Sequence, residues 1–378
     1  MEPVHFCVPA IDARERERVI EALQGRIGGD GPFCRKVEAR LKTLLKASHV
    51  LLTTSCTHAM ELALLALGVG SGDEVVCPSF TFVSTANAVL RVGARPVFAD
   101  IEEGTLGLDA ADVARRLTPR TRALMPVHYA GLAADMDGLL ALARERGLLL
   151  VEDAAHGLGG CWRGRALGTL GDAGSFSFHE TKNVTCGEGG ALVLRDLAVA
   201  RRAEIVREKG TNRGAFLRGE VDKYTWVAEG SSYVLADVLA ALLDAQLDKL
   251  DEIQGRRASI CKRYRESLCD WADAAGVKLP VVAPHQQWSY HIFYLLYRDV
   301  AGRDAALQAL KAAGIQAAFH YVPLHSSPHG RAVGASDALP VTDSVAGRLL
   351  RLPLHPLLSD ADVDRVIAAV RRTAQARP

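Results

Sequence analysis

The stretch AGSFSFHETKNVTCGEGGA, residues 173–191, decides the reading of this chain. A short apolar run leads into Lys182 and Asn183. Ser177 stands five residues before the lysine, and Gly187, Gly189 and Gly190 follow just after it. A lone lysine in such a loop is ordinarily a solvated surface group. In a polar, glycine-flanked loop at the end of a buried strand it can also hold an aldehyde as a Schiff base. Its neighbours along the chain favour the second use.

Upstream, a strand at 49–52 runs through TTSCTHA (53–59) into a strong helix from about Thr57 to Leu67. Strand, small polar turn and helix together present amides and hydroxyls to a phosphate. Thr57 and the His58 amide are the candidate ligands, although simple N-capping by Ser55 or Thr57 is the commoner use of such a turn. Strands at 74–77, 95–101, 121–127 and 148–156 then alternate with helices at 83–91, after Asp109, and within 135–147. Such βα alternation predicts an α/β fold with a mostly parallel central sheet and helices on both faces. Ligands of such sheets bind beyond the carboxyl ends of the strands. Asp153 closes an apolar strand at that edge. Phe82 follows the strand 74–77 on the same side, where core packing is an equal alternative.

On either side of this region the pattern is less regular. Helices at 11–24 and 33–46 flank GRIGGDGP (25–32), whose glycines imply unusual backbone angles or a close approach. After a strand at 189–194 and a helix at 197–209, the polar segment 210–233 is too long for a tight turn and reads as functional or partner-contacting. A helical stretch from about Leu235 to Leu268, broken near Gly255, leads to the domain boundary. Residues 1–255 form the large domain and 256–378 a smaller C-terminal α+β domain. The latter has strands at 289–299 and 315–325, a helix at 303–313, a linker at 326–340 and a last helix at 360–374 with an acidic first turn.

Composition excludes several classes. With 378 residues, 49% of them hydrophobic, the chain can bury a large core. A net charge of +1 supplies no field for nucleic acid or an anionic membrane. No stretch has the length of an apolar membrane span, and no basic-then-apolar leader opens the chain. The eight cysteines form no CxxC pair, which speaks against structural zinc and a disulfide framework and for a reduced, cytoplasmic protein. Cys186, close to Lys182, reads as a buried bystander. No GxGxxG follows the first strand, which disfavours a dinucleotide-binding oxidoreductase.

The carboxyl-edge residues are the parts that pyridoxal 5'-phosphate requires: a lysine for its aldehyde, an acid for its ring nitrogen, an aromatic face, and hydroxyls and amides for its phosphate. Spacing alone leaves another phosphate ligand open. The segments TSCTHA (54–59), PSFTFVSTANA (78–88), PVHYAG (126–131), VEDAAH (151–156), GDAGSFSFHETKN (171–183) and GEGGAL (187–192) resemble the DegT/DnrJ/EryC1/StrS sugar aminotransferases nearly end to end. The resemblance implies a fold-type I pyridoxal phosphate enzyme and a homodimer with shared active sites. It makes Lys182 the Schiff-base lysine and proton carrier, and Asp153 the partner of the pyridinium nitrogen. His156 would lie near the ring, Phe82 would stack on it, and Thr57, the His58 amide and Ser177 would hold the phosphate. The loop around Ser231 and Ser232 would act in the neighbouring subunit's site, and Arg213, Lys223, Tyr224, His320 and Tyr321 would contribute to a sugar nucleotide pocket. The turn after Lys182 is one residue shorter than in the nearest subgroup.

REKGTNR (207–213), VDKYTW (221–226), GSSY (230–233) and FHYVPLH (319–325) are most similar to members that aminate C4 of dTDP-4-dehydro-6-deoxy-D-glucose. Those members use glutamate and yield dTDP-4-amino-4,6-dideoxy-D-galactose, a glycan precursor. The alternatives are a 3-keto or UDP-linked sugar as acceptor, or a non-catalytic sensor that binds the same cofactor. Family members acting at C3 tend to carry tyrosine where His179 stands, and the dehydratases of the family replace the lysine by histidine.

Overall fold

Val50–Leu52, Val75–Cys77 and Leu150–Val151 are apolar at every position, the mark of strands covered on both faces. In the computed structural model, which describes residues 2–335 and 338–373, they lie in one sheet. Its strands are β1 (His49–Thr53), β2 (Glu74–Pro78), β3 (Arg95–Ala99), β4 (Thr121–Leu124) and β5 (Leu149–Asp153). A short hairpin, β6 (Cys161–Trp162) and β7 (Arg165–Ala166), separates these from β8 (Ala173–Ser177) and β9 (Gly190–Leu194). The seven-stranded order is β1-β9-β8-β5-β4-β2-β3. All neighbours pair in parallel except at β9, which runs against both β8 and β1.

Strand alternation divides the core. Leu51, Val75, Cys77, Ala123 and Val151 pack under helices Cys56–Ala66, Val83–Arg91 and Leu197–Arg207. Val50, Leu52 and Val193 turn the other way, onto helices Pro32–Leu45 and Asp237–Asp248. Because β9 is reversed, its first residue lies beside the turn that follows β1. A Cβ on Gly190 would stand 2.4 Å from the Ser55 carbonyl carbon, so this pairing requires glycine.

At the end of β5 the same alternation separates two carboxylates. Glu152 points away from Asp153 into the loop after β5, where it accepts from the amides of Gly168 (2.8 Å), Leu170 (2.6 Å) and Gly171 (2.8 Å). It also accepts from His128 Nε2 at 2.8 Å. The Ala134 amide donates to the other nitrogen of that ring, which leaves Nε2 as the donor.

The expected break at Gly255 is absent, since helix Leu250–Ala275 runs through it. The helical stretch breaks instead at Lys249, whose ammonium is buried against the Ala10 carbonyl, Asp12 and Glu15 and so anchors the break to the N-terminal helix. GRIGGDGP makes the close approach its glycines imply, and makes it within the chain: Asp30 has φ +58°, and Gly31 abuts Asp237. Beyond helix Leu250–Ala275, β10 (Gln286–Gln287) joins the β6–β7 hairpin. A small antiparallel sheet has the order β11 (Tyr294–Leu296), β13 (Leu349–Arg351), β12 (Ala318–Phe319). Its strands are shorter than the expected 289–299 and 315–325. Tyr290 at φ +54° turns the chain out of extended geometry before β11, and after β12 the Leu324 amide binds the Ser79 carbonyl. The last helix spans Asp360–Thr373; Ala374 and part of the expected 326–340 linker lie outside the described residues. Among the described residues no helix is long and apolar enough to cross a membrane.

Glu152→Ala would strand three buried amides and His128. The expected loss is about 3–5 kcal/mol of unfolding free energy, read from urea denaturation, with Glu152→Gln intermediate because it keeps one acceptor oxygen.

Candidate active site

The carboxyl ends of β5 and β8, the turn after β1 and the chain after β2 surround a cavity of about 640 Å³. Lys182, Asp153, His156, Ser177, Thr57, Phe82, His320 and Tyr321, all expected from the sequence, line it. The loop carrying Lys182 is closed by backbone bonds. Phe178 N donates to Gly189 O at 2.8 Å, Cys186 N to Phe178 O at 2.9 Å, and Lys182 N to His179 O at 2.9 Å. The turn after Lys182 is thus closed by backbone bonds to residues 178–180. Cys186 inside it is buried, its thiol pushed up to about 12 by desolvation.

Lys182 opens to the cavity on one side and is otherwise enclosed. Burial pulls its amine below the ordinary lysine value, although Cys56 and Asp153 oppose this. The amine therefore gives up its proton more readily than a surface lysine, as a nucleophile and proton carrier must. Asp153 Oδ2 accepts from Thr85 Oγ1 at 2.8 Å and Oδ1 from the Ala155 amide at 3.1 Å. Thr85 is in turn bonded to Thr81 Oγ1 at 2.8 Å. The carboxylate is held in one orientation at the cavity wall.

Four imidazoles line the cavity, those of His156, His179, His291 and His320. His156 stacks on His291 with ring centroids 4.3 Å apart. His291 Nδ1 meets Asn183 Oδ1 at 2.8 Å, and the Asn183 amide donates to the Ser289 carbonyl at 2.7 Å. Burial, reinforced by Lys182, pushes the pKa of both rings well below the usual range; His320, paired with the Tyr129 hydroxyl at 3.0 Å, falls to about 2 by burial. His156, His291 and His320 are neutral near pH 7. His156 Nδ1 is buried without a hydrogen-bond partner, a polar atom that a ligand would satisfy.

At another part of the cavity the N-terminus of helix Cys56–Ala66 brings Ser55 and Thr57 together with Ser84 and Ser177. Thr57 Oγ1 donates to Ser84 Oγ at 2.8 Å. Hydroxyls at a helix N-terminus suit a phosphate. Phe82 is 58% exposed and lines the wall, so it is not a core residue and its face is open for stacking. An enclosed amine, an oriented acid, an open aromatic face, a hydroxyl cluster and an orphaned imidazole nitrogen fit pyridoxal phosphate.

The remaining expected residues do not line the cavity of a single chain. The His58 amide is used within the helix cap, donating to Ser55 Oγ at 3.1 Å, and the ring bonds Thr54 Oγ1; His58 is absent from the cavity lining. Arg213 is held by Asp30 (3.3 Å) and Glu208 (3.4 Å) and does not reach the cavity of its own chain. Lys223 and Tyr224 are exposed, Tyr224 packing on Phe216, and Ser231 and Ser232 pair with the 206–209 backbone. These five residues lie outside the cavity formed by one chain.

Among the lining residues that escaped the sequence reading are Ser84, His291, Arg257 and Arg351. Thr85, behind Asp153, escaped as well. A signal existed for Ser84 and Thr85, which begin the helix next to Phe82. None existed for the other three, which come from segments 75 or more residues beyond Lys182.

Residues 9–371 match the sequence profile of the DegT/DnrJ/EryC1/StrS aminotransferase family. The chain is 37% identical over 376 residues to the spore coat polysaccharide biosynthesis protein SpsC of Bacillus subtilis, covering 97% of this chain and 96% of SpsC. It superposes on the aminotransferase TlmJ of Streptoalloteichus hindustanus with TM-score 0.91 at 35% identity, over 99% of both chains. It superposes equally well, TM-score 0.91, on the PLP form of Spr1654 of Streptococcus pneumoniae, a protein assigned as a sugar aminotransferase, at 26% identity over 99% of both chains. The architecture is that of fold-type I aminotransferases.

The buried imidazoles set a pH dependence. His156, His291 and His320 bind protons readily only in the unfolded chain, so as pH falls below about 6.5 the unfolded state gains protons that the folded state refuses. Glu208, raised to about 7 mainly by burial, opposes this, because the folded state takes up its proton as pH falls through that value. Lowering pH from 7.5 to 5.5 is expected to cost roughly 2–3 kcal/mol of net stability, measured by urea titration at both values.

Proposed function

The chain belongs to the DegT/DnrJ/EryC1/StrS aminotransferase family and is a pyridoxal-phosphate-dependent sugar nucleotide aminotransferase; from that premise we propose that it transfers an amino group from glutamate to C4 of dTDP-4-dehydro-6-deoxy-D-glucose, giving dTDP-4-amino-4,6-dideoxy-D-galactose. The observation that carries the transfer chemistry is the enclosed Lys182 amine in one cavity with an oriented Asp153. The choice of C4 and of dTDP is supported by the subgroup-like segments at 207–213, 221–226 and 319–325 and by His179, where members acting at C3 tend to carry tyrosine.

Bound pyridoxal phosphate supplies an electron sink that lets the carbon–hydrogen bond next to nitrogen break. In this reading the Asp153 carboxylate keeps the ring nitrogen protonated, and the Thr85 hydroxyl keeps that carboxylate aimed. The Phe82 ring covers one face, and the hydroxyls of Thr57 and Ser177 take the phosphate. His156 Nδ1, otherwise unpartnered, would offer a polar contact to the ring. The Lys182 Nζ takes the proton from one carbon and returns it to another, which its lowered proton affinity favours. The chain acts as a homodimer, with the segment around Ser231 and Ser232, and with it Arg213, Lys223 and Tyr224, serving the neighbouring subunit's cavity. The 76% exposure of Trp226 in that segment suits such a contact.

With cofactor bound, glutamate is expected to bleach the visible absorbance and the keto sugar nucleotide to restore it, with the axial 4-amino product identified by mass and NMR. Bleaching without restoration would exclude this sugar, and restoration by a UDP-linked or 3-keto sugar would reassign it. Lys182→Ala should lower turnover at least roughly 10³-fold, and Thr85→Val roughly tenfold, with cofactor affinity largely kept in the latter.

A further inference from the structure

Beside the main cavity lies a second, much smaller chamber of about 10 Å³, room for one water-sized sphere. Lys182 is a wall of both spaces. Leu158 and Val184 supply apolar wall to the small chamber, and Ser177, Lys182, Asn183 and His291 supply polar atoms. The hydrogen-bonding capacity of those atoms can be counted. Asn183 Nδ2 donates to the Ser289 carbonyl at 2.7 Å and to Gln254 Oε1 at 3.1 Å. Both amide hydrogens are thereby committed, and the oxygen of the same group lies 2.8 Å from His291 Nδ1. An amide oxygen can only accept, so Nδ1 carries the hydrogen of the imidazole. Burial keeps that ring neutral, which leaves Nε2 a bare acceptor. Among the described residues no donor is paired with it, and none accepts a hydrogen from Lys182 Nζ. Ser177 Oγ accepts only the long contact from the His179 amide, 3.4 Å, and keeps a free lone pair.

A donor without an acceptor and two acceptors without a donor thus border a space of one water's size. Direct contact between them is replaced by a bridge when a water finds two to four polar partners, and three are present here. We propose that the chamber binds one water molecule, which accepts a hydrogen from Lys182 Nζ and donates its own two to His291 Nε2 and Ser177 Oγ. The site follows from its walls; its consequence rests on the reading of Lys182 as the proton carrier of an aminotransferase. Because two acceptors take the hydrogens of the water, its oxygen is turned toward Nζ. A Lys182 amine that is not bonded to an aldehyde then has one N–H fixed, and its lone pair is left for the main cavity, where the proton is collected. The same oxygen stabilises the ammonium once the proton has arrived. His291 is a positioning residue in this arrangement, since it acts on the lysine through the water, and Asn183 sets its tautomer.

Val184→Ile places an extra methylene against a space that holds a single water, whereas Val184→Ala leaves more room. Crystals of the full chain loaded with pyridoxamine phosphate, in which Lys182 is a free amine, are expected to show one ordered water within hydrogen-bond distance of Nζ. Wild type and Val184→Ala should keep that water and Val184→Ile should lose it. The second readout is the pH profile of Lys182 carbamylation by cyanate, followed by mass spectrometry on the cofactor-free chain. Loss of the water removes a group that stabilises the ammonium, so the profile of Val184→Ile should move to lower pH by roughly half a unit, with Val184→Ala within about a tenth of wild type. Wild-type crystals without a water in the chamber overturn the proposal, whatever the variants do. A water that is lost in Val184→Ile with no change in the profile overturns its link to the lysine, as do equal changes in the two variants. If pyridoxamine phosphate does not bind, the aminotransferase reading fails, and crystals of the cofactor-free chain still decide the water site.

Discussion

Two consecutive carboxylates at the end of β5 organise this molecule, because a strand turns successive side chains to opposite faces. Glu152 points to one side and satisfies three amides and an imidazole of the loop beyond β5. Asp153 points to the other and takes the Thr85 hydroxyl. A shift of one residue in β5 would exchange them, leaving the loop unbonded and the acid facing away from the lysine. The same element that stabilises the sheet edge therefore also aims a functional acid, and its energetics and chemistry are inseparable.

Desolvation does the second part of the work. The cavity wall combines an amine whose proton affinity burial lowers with three imidazoles that burial keeps neutral. A low-dielectric wall with few mobile charges strengthens each fixed interaction inside it. The Asn183–His291–His156 series links the residue beside the lysine to the ring stack, so the lysine loop and the segment before β11 are positioned together. Tyr290, at φ +54°, is the backbone cost of that arrangement, and Arg257 secures it by binding the two carbonyls there.

Positive charge in the cavity comes from groups with different duties. Arg257 is bound to backbone carbonyls and the Arg351 guanidinium sits over Phe6, whereas Arg213 pairs with Asp30 and Glu208 outside the cavity of its own chain. A charge becomes available to a ligand only where the fold withholds its internal partner.

The residues alone were enough for the sheet and for much of the cavity. Runs such as Val75–Cys77 and Leu150–Val151 announce strands covered on both faces, and strand ends in such a sheet share an edge, so Asp153, Ser177, Lys182, Thr57 and Phe82 could be placed together before any contact was known. Those inferences hold because strand alternation and βα order are local rules with one global outcome. The short strands β11 and β12 were overestimated because an apolar run does not reveal where a backbone turn such as Tyr290 will end it. The His58 amide could not be assigned, since a cap and a phosphate site have the same sequence. Thr85, His291 and Arg351 were decided only by the tertiary structure. Their meaning comes from partners 68 residues away for Thr85 and 108 for His291, and for Arg351 from a buried Nε without a hydrogen-bond partner among the described residues. Whether a buried charge is matched or left open depends on which distant side chains the folded chain brings to it.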